Sequence, residues 1–226
     1  MKKSVSIAFM LCGLLFAVCL VVSNIIEQKT INIGPIEATA GLIIFPISYI
    51  INDLITEVWG FRKARLVIWL GFALNFLAVG FFQLSILLPG SENFTHQPAF
   101  SLVLGNTIRL STASFVAFLC GSFLNAYVMS RMKLLHKDRF FSVRAIASTI
   151  VGESTDSLIF FSIAFYGILP NHDLLILIFT QMGMKTFYEI LILPITNKIV
   201  RWLKNFENID TYDTNISYNP FKITDF

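Results

Sequence analysis

The chain has 226 residues, 55% of them hydrophobic and only 14% charged, with a mean hydropathy of +0.71. An ordinary soluble domain carries roughly a quarter charged residues, so this composition excludes that class and indicates an integral membrane protein. The net charge of +3 decides little by itself; the placement of the basic residues decides more.

Apolar segments run over 4–24, 38–60, 66–88, 105–130, 143–169 and 173–203, each near the ~20 residues that cross a ~30 Å hydrocarbon core. The first opens with "MKKSVSIAFMLCGLLFAVCLVV". Its apolar part is too long for a signal peptide and no small-x-small cleavage site closes it, so it reads as the first spanning helix. Pro46 lies inside the second segment and is expected to kink it, freeing a carbonyl. The connections "NIGPIE", "WGFRKAR", "LPGSENFTHQP", "MKLLHKDRF" and "LPNHD" are turn-like. The division is a membrane domain over 1–204 and a polar tail over 205–226. Cys12, Cys19 and Cys120 all fall in apolar segments without metal-ligand spacing and read as buried small hydrophobes. Gly13 and Ala17, four apart, suit a close helix approach or the contact of a homodimer.

Lys2 and Lys3 precede the first segment, and Arg62, Lys63 and Arg65 fill the second connection. Arg131, Lys133, Lys137, Arg139 and Arg144 surround the fourth, and Lys198, Arg201 and Lys204 close the last segment. The first connection holds only Lys29, and the third and fifth hold no Lys or Arg. Lys and Arg favour the cytoplasmic side. The expected fold is therefore all-α, with six transmembrane helices and both termini cytoplasmic. Six spans divide into two sets of three, and the middle helix of each set carries paired acids, "NDLITE" and "GESTD". A 3+3 inverted repeat of the transporter kind is expected, with the site near the midplane.

An ionisable residue deep in a span costs ~2.5–3.5 kcal/mol, so the charged residues in the spans should face a cavity or one another. Asp53 and Glu57 are four apart and stack on one helix face; Glu153 and Asp156, three apart, do the same. Gln181, Lys185 and Glu189 form an i, i+4, i+8 stripe. Asn24 ends the first span, Asn75 lies within the third, and Asn106, Arg109 and "STAS" (111–114) open the fourth. These groups could converge on one central cavity, with Phe45, Phe160 or Phe161 stacking on a planar ligand. Simpler roles compete with this: Glu57 reaching cytoplasmic water and Arg62, Arg109 reaching the outer interface, and Lys185 pairing with Glu189 along its helix. No phosphate-binding loop, Gly-x-Ser-x-Gly elbow or His-Glu-x-x-His helix is present, so no ATPase of its own, enzymatic activity, metal or cofactor is expected.

The segments "FPISYIINDLITEVWGFRKAR", "IRLSTASFVAF", "VGESTDSLIFFSIAFYG" and "KTFYEILILPITNKIV" resemble the bacterial queuosine precursor transporters, also called vitamin uptake transporters. The resemblance covers roughly residues 20–204. It implies a six-helix importer of the bacterial inner membrane, whose substrate is a 7-deazaguanine such as preQ0, preQ1 or queuine. Its partners are then that base and the lipid bilayer, with no nucleic acid. Asp53, Arg109, Asp156 and Lys185 fall where the family's spans carry polar or charged residues; Glu57 and Glu153 fall where its members differ. The expected substrate-binding residues are Asn24, Phe45, Asp53, Glu57, Arg109, Glu153, Asp156, Gln181, Lys185 and Glu189. The nearest rival reading is a substrate-binding membrane subunit for another vitamin, driven by a separate ATPase.

Overall fold

The computed structural model describes residues 6–27, 29–34, 36–105, 108–136 and 139–222. Helix α1 (Ile7–Ile26) starts at Ser6, whose hydroxyl oxygen accepts the Phe9 N–H at 3.3 Å, the usual way to satisfy a first-turn donor. The same hydroxyl donates to Glu207 at 2.5 Å, so the start of the first helix meets the end of the last.

The connection between the expected first and second spans is a β-hairpin, whose last two residues, Ala38 and Thr39, open the second segment. Strands β1 (Thr30–Ile33) and β2 (Ile36–Thr39) pair antiparallel, Thr30 opposite Thr39 and Ile33 opposite Ile36. The turn uses Gly34 at φ 62°, a conformation that costs glycine little. One 3-10 turn (Ala40–Ile43) leads into α2 (Phe45–Trp59). Pro46 therefore stands in the first turn of α2, where its missing N–H would have no partner anyway, and kinks nothing. The proline inside a helix is Pro194 of α7.

Gly60, at φ 83°, alone separates α2 from α3 (Phe61–Leu87). The expected basic connection is thus the first turns of a helix. A short α4 (Gln97–Leu104) packs on α3, and Gln97 donates to the Ile86 carbonyl at 3.1 Å. Three long helices follow: α5 (Ile108–His136), α6 (Phe141–Phe165) and α7 (Asn171–Glu207). Five segments, 7–26, 40–59, 61–87, 97–136 and 171–207, are long and apolar enough to cross a membrane. Helix α6 is long enough at 25 residues but carries Arg144, Glu153 and Asp156. Leu70, Leu77 and Phe81 of α3 and Phe179, Phe187 and Leu191 of α7 are exposed, an apolar outer surface suited to lipid. The chain is a predominantly helical integral membrane protein with five to six membrane-capable helices.

Helix α2 is the axle. Every residue from Ser48 to Trp59 is buried, and it packs against α1, α3, α5, α6 and α7. Its polar residues consequently face protein, not lipid. Helices α5 and α6 approach each other at Gly121 and Gly152. A Cβ on Gly152 would stand 2.6 Å from the Asn125 Cβ and 2.9 Å from the Gly121 carbonyl oxygen, so only glycine permits this crossing. Gly152→Ala should cost about 1–3 kcal/mol through forced separation of the backbones, read as a lowered melting temperature in detergent. Gly13, by contrast, faces Val67 of α3 at an ordinary 3.7 Å. Of the cysteines, Cys19 is buried, Cys12 half-buried and Cys120 exposed, so the last is not the buried hydrophobe expected.

The polar tail is docked. Asp213 accepts the Phe61 N–H at 2.8 Å and the Ser130 hydroxyl at 2.5 Å, supplying a carboxylate to the N-terminus of α3. Arg65, fully buried, donates to the Ser217 and Asn219 carbonyls at 3.2 and 2.9 Å, and the Trp69 indole donates to the Pro220 carbonyl at 2.8 Å. Helix α7 runs to Glu207, so the sequence boundary at 204/205 falls inside it. The bundle thus has a tail end, where Ser6, Gly60 and the tail lie, and a hairpin end, where β1 and β2 lie.

Candidate functional site

At the hairpin end, α1, α2, α5, α6 and α7 surround a small cavity of about 40 Å³, lined in part by Asn24, Phe45, Asp156, Gln181 and Lys185. The Lys185 ammonium donates to Asp156 at 3.0 Å and to the Ser157 hydroxyl at 3.3 Å, and stands 4.4 Å from the centre of the Phe45 ring. Ion pair, hydroxyl and ring face together offset the cost of placing an ammonium among apolar helices. Asn24 donates to Asn75 at 2.9 Å and accepts from Ser114 at 3.0 Å, joining α1, α3 and α5. Gln181, 2% exposed, has an amide nitrogen with no hydrogen-bond partner among the described residues. Phe160 and Phe161 also line the cavity. It therefore offers a carboxylate, an ammonium, a free amide donor and aromatic faces. These are the groups needed to read the edge of a flat heterocycle. Ligand pockets usually measure ~300–1,000 Å³, so a bicyclic base enters only if the lining moves apart.

Deeper along the bundle lie Asp53, Glu153 and Glu189, at most 1% exposed. Ser148 donates to Asp53, 3.2 Å from each carboxylate oxygen. Neither carboxylate oxygen of Glu153 or Glu189 has a hydrogen-bond donor among the described residues. This layer separates the hairpin-end cavity from the tail end.

Glu57, fully buried, belongs to the tail end. Its carboxylate accepts from Arg144 at 2.8 Å and Lys204 at 2.7 Å, with Lys133 at 3.8 Å. Lys133 also donates to the Glu57 backbone carbonyl. Asp210 of the tail bridges Lys133 at 2.5 Å and Lys204 at 2.9 Å. Beside this cluster is a second cavity, about 550 Å³, lined by Glu57, Asn197, Arg201, Lys204 and Asp210 among others. The expected partner Arg62 is not the one Glu57 meets; its partners come from α5, α6 and α7.

Arg109 is exposed, and its guanidinium donates to the Ile163 and Tyr166 carbonyls at 2.5 and 2.6 Å. It closes the last turn of α6 and lines neither cavity. Asn106 lies outside the described residues. The ten expected site residues are thus spread over three layers and one surface position. Asn24, Phe45, Asp156, Gln181 and Lys185 share the hairpin-end cavity. Asp53, Glu153 and Glu189 lie below it, Glu57 lies at the tail end, and Arg109 stands apart.

Three further polar lining residues, Ser23, Glu27 and Thr39, went unmarked in the sequence: Ser23 and Thr39 are small hydroxyls within expected spans, and Glu27 lies in the connection between them, which reads as a loop. Alternation in "TINIGPIEAT" on either side of Gly-Pro was the available sign of a hairpin that would carry polar groups back over the bundle. Among the described residues, no group of three or more His, Cys, Asp or Glu is placed to hold a metal ion.

The profile of a family described as "Putative vitamin uptake transporter" matches residues 39–199. The chain is 28% identical over 190 residues to a "Probable queuosine precursor transporter" of Bacillus subtilis strain 168, covering 83% of this chain and 82% of that protein. It is 30% identical over 145 residues to the "Queuosine precursor transporter" of Escherichia coli strain K12, covering 64% and 62%. The "Probable queuosine precursor transporter" of Haemophilus influenzae strain Rd is 30% identical over 136 residues, covering 58% and 53%. No solved structure matches. The matched stretch contains α2, α3, α5, α6 and most of α7, and so nearly all of the charged interior. The chain belongs to the vitamin uptake transporter family, as a multi-pass protein of the inner membrane.

Proposed function

We propose that this protein imports a queuosine precursor, a 7-deazaguanine base, by alternating access. The observation that carries the reading is the Asp156–Lys185 pair, 3.0 Å apart under the Phe45 ring in the hairpin-end cavity. A 7-deazaguanine presents N1–H and an exocyclic amine along one edge, beside an O6 acceptor. Asp156 accepts from both donors, Lys185 or the free Gln181 amide donates to O6, and Phe45 covers the ring face. The names of the relatives support this choice of cargo.

In this reading the tail end is cytoplasmic, because Arg62, Lys63, Arg131, Arg139, Arg201 and Lys204 gather there. Six crossings with both ends inside follow, and α2 and α6 become the middle helices of two repeats. The hairpin-end cavity then faces outward. The Glu57 cluster and the docked tail close the inner end, and they must separate for release. The small size of the cavity fits an occluded stage of such a cycle. Asp53, Glu153 and Glu189 line the route between the two ends.

Purified protein in liposomes should take up labelled 7-aminomethyl-7-deazaguanine without ATP or any ATPase subunit. Unlabelled 7-deazaguanines should compete, and riboflavin and biotin should not. Uptake no faster than in protein-free liposomes, or uptake that requires an added ATPase, would exclude this reading.

A further inference from the structure

The hairpin-end cavity holds one negative charge more than its ion pair uses. Asp156 and Lys185 neutralise each other at 3.0 Å, and Glu27, just past the end of α1, lines the same cavity. Its carboxylate is half-buried and accepts the Thr39 hydroxyl at 2.8 Å. Gly41 makes room for it: a Cβ on Gly41 would collide with a Glu27 carboxylate oxygen. The carboxylate is thus built into a cradle of hairpin and 3-10 turn, and a neutral base leaves its charge unmatched.

Resting on the transporter reading above, we infer that Glu27 is a specificity-determining residue that selects a base carrying a cationic arm, such as a protonated primary amine at C7. Around the ring of a 7-deazaguanine, C7 follows O6. With O6 held by Lys185, the arm at C7 extends past that ammonium. A second ammonium in the same cavity needs its own carboxylate. Glu27, whose charge interacts with that of Lys185, supplies it.

Acidity should tune this preference. Burial pushes the Glu27 carboxyl above its ordinary range; the Thr39 hydroxyl and the Lys185 charge pull it down, and Asp156 pushes it up. A raised acid takes its proton at a higher pH than a free glutamate. Acidification then removes the charge that holds the cationic arm, and the preference shrinks as pH falls.

The test is calorimetric titration of the full chain in detergent with two bases of the same skeleton, 7-aminomethyl-7-deazaguanine (cationic) and 7-cyano-7-deazaguanine (neutral). The wild type should bind the cationic base about tenfold tighter or more, the worth of a charge-assisted contact. Glu27→Gln should bring the ratio to about one, chiefly through weaker binding of the cationic base, and make the ratio no longer dependent on pH. Gly41→Ala, which pushes the carboxylate from its cradle while keeping it in the chain, should lower the ratio too and serves if Glu27→Gln does not fold. Equal binding of the two bases by the wild type, or an unchanged ratio in the folded variants, overturns this inference and leaves the transporter reading intact. Binding of neither base by the wild type overturns both.

Discussion

Glu57→Gln should lower the stability of the protein by about 3–5 kcal/mol, the cost of breaking a buried ion pair from one side. The carboxylate is fully buried and meets Arg144 and Lys204 directly, with Lys133 close by. Its loss leaves three cations around a neutral amide, with Asp210 as the remaining acid of the cluster. Arg144 cannot turn to water, since its side chain is 0% exposed. For a chain of this length the melting temperature should fall by roughly 10 °C. Glu92→Gln, at an exposed position of the α3–α4 connection, should change it little. The double variant Glu57→Gln/Arg144→Gln should lose less than the two single variants added together, because the second change removes the charge the first stranded. A melting temperature within a degree or two of wild type for Glu57→Gln would show that the cluster contributes nothing to holding the tail end together.

Asp156→Asn should weaken binding of a 7-deazaguanine by about 10- to 150-fold, from the loss of hydrogen bonds to a charged acceptor at ~1.5–3 kcal/mol. An asparagine keeps the shape but offers one carbonyl oxygen where two donors need acceptors, and its amide donor faces the Lys185 ammonium. The change also strands Lys185, so thermal melting without ligand must accompany the titration. A folded Asp156→Asn protein that binds normally would remove Asp156 from the site. Lys185→Met complements it: the ion pair is broken from the other side, and O6 loses its cationic donor.

The long helices and their order were legible in the sequence because each is a run of apolar residues of membrane length. The pairing of charges was not. Glu57 meets Arg144 and Lys204, 87 and 147 positions away, and helical spacing within α2 says only that Asp53 and Glu57 share a face. That face runs through two layers of the bundle, so residues four apart serve different surroundings. Arg65 illustrates a second limit. It reads as loop charge, yet it is buried and bonded to backbone carbonyls of the tail, and carbonyls leave no mark in a sequence. Glu27 is a third case: its importance depends on a hairpin that folds back over the cavity and on the missing side chain of Gly41. Asp156 and Lys185, both mid-helix in apolar surroundings, were legible because a membrane makes an unneeded charge there costly.

In the proposed transport cycle the cavity under Phe45 binds the base through Asp156 and Lys185. The most direct measurement is calorimetric titration of wild type and Asp156→Asn with 7-cyano-7-deazaguanine, a neutral base with no cationic arm to pair with Glu27, with riboflavin as control. Saturable binding to the wild type is expected, with none for riboflavin and a loss of at least tenfold in a variant that remains folded. Equal binding by both proteins, or binding of riboflavin and not of the deazaguanine, would contradict this assignment.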